Sequence, residues 1–242
     1  MKTLVIIPSR LSASRLPGKP LLKINGLSMI SHVFKKAEEA DIGEVVVAAE
    51  DQEIIEDVKK NGGNAILTSN QHKTGTDRIY EAFQKLNLRN IDYIINLQGD
   101  EPNINLNDLK HFKDLINKKN PEIATLASKI DEININNENI VKVITKNKIS
   151  DNSASEALNF NRVIKKNSSG NIYHHFGIYL YKYSALKKFV NFEKSKNEIK
   201  ERLEQLRAID NNMKIDVLLA NYFSSGIDTK KDLEEYINLL NK

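Results

Sequence analysis

The chain has 242 residues, enough to bury a core as one large domain or as one domain with a small appendage. It contains no Cys, which excludes a disulfide framework and a thiolate zinc site and fits a reducing cytosol. The net charge of +4 is spread along the chain, which argues against nucleic-acid binding, and no apolar run reaches the length of a membrane span or of a signal-peptide core.

Short apolar runs alternate with helical patterns through the first half. Thr3–Pro8 reads as a buried strand, and residues 28–40 as an amphipathic helix with Ser28 at its N-cap. Residues 44–49 form the second predicted strand, 52–60 a helix, 64–68 the third strand, 75–86 a helix, 92–97 the fourth strand and 106–116 a further helix. Near-continuous apolar strands separated by helices predict a Rossmann-like, doubly wound, mostly parallel α/β sheet. Such a sheet binds ligands beyond the carboxyl ends of its strands, where the polar motifs of this half fall. The second half is less regular. Residues 123–130, 140–145, 171–183 and 213–219 read as strands, 151–155 and 165–170 as loops, 197–209 as one helix and 229–240 as a terminal helix. The expected organisation is one domain, 1–242, with a smaller inserted segment at roughly 120–190.

The densest motif follows the first strand: Pro8, Ser9, Arg10, Leu11, Ser12, Ala13, Ser14, Arg15, Leu16, Pro17, Gly18, Lys19, Pro20. Three cations, Arg10, Arg15 and Lys19, stand among small residues that permit close backbone approach. That combination suits a polyphosphate. Pro20 follows Gly18-Lys19 where an ATPase phosphate loop has Ser or Thr, and no G-x-G-x-x-G occurs. In Gln98-Gly99-Asp100-Glu101-Pro102, Asp100 ends the fourth strand as a hard oxygen ligand suited to Mg²⁺ beside substrate phosphates.

These segments resemble the CMP-Kdo synthetases (3-deoxy-manno-octulosonate cytidylyltransferases), and the resemblance covers nearly the whole chain. The family's loop reads IPAR-x-x-S-x-R-x-PGKPL; here Ser9 replaces Ala and Ala13 replaces Ser. The resemblance implies a nucleotide site of Pro8, Ser9, Arg10, Ser14, Arg15, Lys19, Thr74, Gly75, Arg78 and Gln98. Residues 69–78 resemble the segment that holds cytosine and ribose, and Thr74 or Thr76 also suits a helix N-cap. Asp228, in residues 225–229, resembles the family's second metal-binding Asp and joins Asp100 in holding Mg²⁺; a helix cap is its plain structural reading. Gln98, Arg162, His175, Tyr179, Glu204 and Gln205 are the implied sugar contacts.

The implied reaction moves CMP from CTP to the anomeric hydroxyl of Kdo, with Lys19, Arg10, Arg15 and Asp100 in catalytic roles. A cytoplasmic homodimer serving lipopolysaccharide synthesis is expected. Two departures stand out. The family's VATD reads Val47-Ala48-Ala49-Glu50, and its F-S-R-x-x-I-P reads Phe160-Asn161-Arg162-Val163-Ile164-Lys165, with a shorter loop after it. They leave open another acidic acceptor, 8-amino-Kdo or a nonulosonic acid, or a catalytically idle nucleotide-binding paralogue.

Overall fold

The computed structural model describes residues 1–12, 16–151, 153–164, 170–221 and 226–241. The chain opens with β1 (Thr3–Ser9), whose run TLVIIPS is almost wholly buried. A 3-10 turn (Lys19–Leu21) and a hairpin of β2 (Lys23–Ile24) and β3 (Leu27–Ser28) lead into α1 (Met29–Glu39). Then come β4 (Glu44–Ala49), α2 (Gln52–Lys60), β5 (Ala65–Leu67), α3 (Gly75–Leu86), β6 (Tyr93–Asn96) and α4 (Leu106–Lys119). The later elements are β7 (Ile123–Ser128), α5 (Glu132–Ile135), β8 (Lys142–Thr145), β9 (Ser155–Asn161), β10 (Asn171–Lys182), α6 (Tyr183–Val190), α7 (Lys196–Glu201), α8 (Leu206–Asp210), β11 (Ile215–Leu219) and α9 (Lys230–Leu240). Two compact units result: Met1–Lys110 with Ser224–Lys242, and His111–Phe223. No helix among the described residues is long and apolar enough to cross a membrane.

In the first unit β5, β4, β1 and β6 lie side by side in that order, all parallel. The register sets Ser9 beside Ala49 and Ala49 beside Leu67, so three strands end level and deliver their following loops to one edge. Burial on both faces explains why EVVVAA reads as a continuous apolar run rather than an alternating one. The connecting helices are amphipathic: α1 buries Met29, Ile30, Val33, Phe34 and Ala37, a single stripe at helical spacing. Ser28 caps α1 as expected, its hydroxyl accepting the Ser31 N–H at 3.3 Å. At the chain's far end, Ile227, Leu233 and Tyr236 pack with Ile24 and Met29. This cluster seats α9 on the hairpin.

The second unit is built differently from the parallel pattern expected of the sheet. β7 and β11 are parallel, but β10–β7, β11–β9, β9–β8 and β8–β10 are antiparallel, and together the pairings close the five strands on themselves. β10 serves two neighbours in succession, β8 along Asn171–His174 and β7 along His174–Tyr181. Other expectations for this half are corrected. The loop expected at 151–155 gives way at Ser155 to β9, and α6 begins at Tyr183, where a strand residue was expected. The helix expected over 197–209 is two. Arg202 adopts the left-handed conformation (φ 55°), a Ser195–Glu198 capping box opens α7, and buried Glu198 grips Arg207 of α8 at 2.6 and 2.8 Å across the break. The loop expected at 165–170 lies outside the described residues except for Gly170.

Candidate active site

The site belongs to the first unit, at the carboxyl edge of its parallel strands. After β1 the chain loops out and returns: the Leu11 N–H donates to Asp51 Oδ2 at 2.7 Å, and the Gly18 N–H to the Leu11 carbonyl at 3.3 Å. Gly18 is left-handed (φ 67°), which turns the chain into the Lys19–Leu21 turn. That turn buries Lys19 and points its ammonium at two carboxylates. Nζ lies 2.7 Å from Asp100 Oδ2 and 3.0 Å from Asp228 Oδ1. The lysine side chain is 9% exposed and the two aspartates 37% and 38%, so the acids face open space while the cation is enclosed.

The two aspartates arrive from the two separate stretches of chain that make up the unit. Asp100 follows β6 by way of Gly99, where a Cβ would stand 3.2 Å from the Pro8 carbonyl and 3.1 Å from Ile30. Only glycine passes there without displacing a neighbour. Asp228 is brought alongside by the Ile227 N–H, which donates to the Asp100 carbonyl at 2.9 Å, and by the α9 cluster, in which the Tyr236 hydroxyl donates to the Pro102 carbonyl at 3.0 Å. Asp232 accepts the N–H groups of Asp228 and Thr229 at 2.9 and 2.8 Å, so the cap of α9 is made by Thr229 and Asp232 and leaves the Asp228 carboxylate for Lys19. Next to Asp100, burial and the adjacent Asp100 charge push the Glu101 carboxyl up to about 8, with Lys19 opposing.

The crevice holds about 370 Å³ and is lined by Pro8, Ser9, Arg10, Lys19, Gln98, Asp100 and Asp228 together with His72, Lys73, Thr74, Gly75 and Arg78. Thr74 caps α3, accepting the Asp77 N–H at 3.2 Å. Gly75 sits against Pro8, to which a Cβ would come within 3.3 Å. Arg10 is exposed at the rim, and the buried Ser9 hydroxyl has no hydrogen-bond partner among the described residues. Arg78 differs from expectation in one respect: its guanidinium is buried and engaged with Glu50, with Thr68 Oγ1 at 2.7 Å and with the Ser69 carbonyl at 3.3 Å. Glu50, which departs from the family pattern, is therefore the partner of a site arginine. Ser14 and Arg15, as well as Ser225, lie outside the described residues.

The remaining site expectations fall in the second unit. His175 and Tyr179 are side by side on β10 as their spacing implies, Nε2 and the hydroxyl 3.0 Å apart, with Thr125 Oγ1 3.1 Å from the same nitrogen. Both are buried. Burial, then the neighbouring His174, pushes His175 down to about 3, while burial holds Tyr179 well above the usual phenol range. Arg162 reaches the Glu138 carbonyl at 3.2 Å. Gln205 is buried, and Glu204 lies 3.7 Å from Arg207. Two residues that support the crevice, Glu50 and Glu81, carry no sequence signal of that role beyond the departure at Glu50.

A family model described as Cytidylyltransferase matches residues 4–215. A 3-deoxy-manno-octulosonate cytidylyltransferase of Nitrobacter winogradskyi is 42% identical over 235 residues, 96% of this chain and 92% of the relative. This chain belongs to the CMP-Kdo synthetase family. A relative of the same name from Afipia carboxidovorans is 43% identical over 242 residues, 99% of this chain and 97% of its own. Among solved structures, a CMP:2-keto-3-deoxy-manno-octonic acid synthetase complexed with CTP superposes with a TM-score of 0.88 at 35% identity, covering 100% of this chain and 99% of that one. Of the segments that carry the resemblance, the loop after β1, Thr74 with the first residues of α3, Asp100 and Asp228 line the crevice.

Proposed function

We propose that this enzyme transfers CMP from CTP to the anomeric hydroxyl of 3-deoxy-manno-octulosonate, releasing pyrophosphate and supplying CMP-Kdo for lipopolysaccharide biosynthesis. The observation that carries the reading is Lys19, enclosed between Asp100 and Asp228 in a crevice at the strand ends. Arg10, Arg15 and Lys19 hold the triphosphate; Pro8, Ser9, Ser14 and Gln98 complete its cradle; Thr74, Gly75 and Arg78 form the nucleoside wall. Lys19 offsets charge on the α-phosphate as the pyrophosphate departs. For the acceptor we assign Gln98, Arg162, His175, Tyr179, Glu204 and Gln205, as the family resemblance implies.

The donor set fits Mg²⁺. Asp100 and Asp228 supply hard carboxylate oxygens close enough to share one ammonium, and each is more than a third exposed. When bound, Mg²⁺ would neutralise phosphate charge and acidify a coordinated hydroxyl. We further propose that the chain acts as one cytidylyltransferase domain in a cytoplasmic homodimer, with the inserted segment at roughly 120–190 supplying the dimer contact.

The test is pyrophosphate release with CTP, ATP, GTP or UTP against Kdo, 8-amino-Kdo and a nonulosonic acid. CTP with Kdo is expected to give the highest kcat/KM. Higher kcat/KM with another acceptor would reassign the sugar, and no release with any pair would support an idle paralogue.

A further inference from the structure

The connection between β5 and α3, residues 68–74, carries the nucleoside wall. Its first residue is still tied to the sheet, the Thr68 N–H donating to the Ala49 carbonyl at 2.8 Å. Beyond that point side chains hold it. Glu81, in the second turn of α3, accepts the Ser69 N–H at 2.8 Å and a hydrogen bond from His72 Nε2 with the same oxygen. Its other oxygen meets Lys85 at 2.7 Å, and Lys85 also donates to the Leu67 carbonyl at 3.0 Å. One carboxylate therefore reaches the connection at two points and, through a lysine, the strand residue before it. Burial would raise this carboxyl, but bonds from Lys85, the Ser69 N–H and His72 outweigh burial and bring it down to about 2. Glu81 itself does not line the crevice, whereas His72, Lys73, Thr74 and Gly75 do.

We propose that Glu81 is a positioning residue for pyrimidine recognition: its carboxylate fastens residues 69–72 to α3, so that Thr74 and Gly75 present backbone groups to the base in a fixed arrangement. The proposal rests on the reading of this crevice as the CTP site. A connection already ordered before the nucleotide arrives spends no affinity on ordering itself, and backbone groups held in place can match cytosine's 4-amino donor and N3 acceptor and leave uracil's reversed pattern unpaired. Arg78, itself held by Glu50, also fastens the start of this connection through Thr68 and the Ser69 carbonyl.

The experiment is calorimetric binding of CTP and of UTP to the intact chain, with steady-state kinetics and thermal denaturation alongside, for wild type, Glu81→Ala, Glu81→Gln and Lys85→Met. Glu81→Ala is expected to weaken CTP binding about tenfold and narrow the CTP-over-UTP preference several-fold, with kcat at saturating CTP within about twofold of wild type. Glu81→Gln keeps an acceptor for the Ser69 N–H and should fall between. Lys85→Met leaves the Ser69 and His72 bonds and should change preference least. A lowered melting temperature with unchanged CTP affinity and preference would make Glu81 a stability residue only and overturn the proposal. Should Glu81→Ala not fold, unchanged values in Glu81→Gln overturn it equally. A wild-type chain that binds no CTP overturns the reading of the crevice, a result distinct from the failure of Glu81 alone.

Discussion

Replacing Lys19 with Met keeps most of the stem and removes the ammonium that Asp100 and Asp228 share at 2.7 and 3.0 Å. Two ion pairs are lost, but the aspartates are 37% and 38% exposed, so water screens each interaction. Exposed or half-exposed pairs contribute about 1 kcal/mol or less apiece, which sets the folding cost at about 1–2 kcal/mol once mutual repulsion of the freed carboxylates is included. For a chain of this length that lowers the melting temperature by a few degrees, on the order of 2–4 °C per kcal/mol. The effect on chemistry is larger. Loss of one fixed group that stabilises developing charge costs about 10²–10³ in kcat. CTP- and Kdo-dependent pyrophosphate release, measured beside thermal denaturation, separates the two effects. A Lys19→Met enzyme within tenfold of wild-type turnover refutes the catalytic assignment, and a melting temperature lowered by more than about 15 °C would recast Lys19 as a structural residue.

Three other outcomes follow from the same geometry. Gly75→Ala must push Pro8 or the start of α3 by a few tenths of an ångström, because its Cβ would stand 3.3 Å from Pro8 Cγ; KM for CTP should rise several-fold with little change in melting temperature. Glu198→Ala leaves Arg207 as a buried cation without its bidentate partner, the pair being 6% and 3% exposed; urea denaturation should show a loss of about 3–5 kcal/mol. Acid should destabilise the fold through His174 and His175, whose values are pushed by burial down to about 4 and about 3. Between those values and the unfolded value near 6.5 the unfolded chain binds more protons, so stability falls as pH drops through that window, by about 2 kcal/mol per histidine at pH 5. Denaturant midpoints at pH 7.5 and 5 check this, and a His174→Asn/His175→Asn variant should lose most of the slope.

The parallel strands of the first unit were legible because burial on both faces writes itself into runs such as TLVIIPS and EVVVAA. Their level carboxyl ends also made the placement of Lys19 and Asp100 legible, since a polar motif at such an end has one place to point. The second unit hid more. β9, SEALNFN, exposes two adjacent residues and buries few, so its period is faint. The break at Arg202 is invisible in a helical pattern because a tertiary event, the Glu198–Arg207 pair, pulls the chain around it. Arg78 illustrates a general limit: sequence assigns a cation to a site but not the direction of its guanidinium, which here turns inward to Glu50. Glu81 was missed because its partners lie in a connection without regular periodicity, nine to twelve positions earlier.

Lys19 and Asp228 stand 209 positions apart and yet share a hydrogen bond. A ribosome has therefore emitted the whole of the intervening sequence before the second carboxylate can be seated. Nascent chains that stop short of residue 228 carry only half of the acidic clamp. Competence in this enzyme thus waits on residues far along the chain from the first cation. Small lesions in α9, which holds Asp228 in place through Asp232, should register first as lost turnover and only later as lost fold.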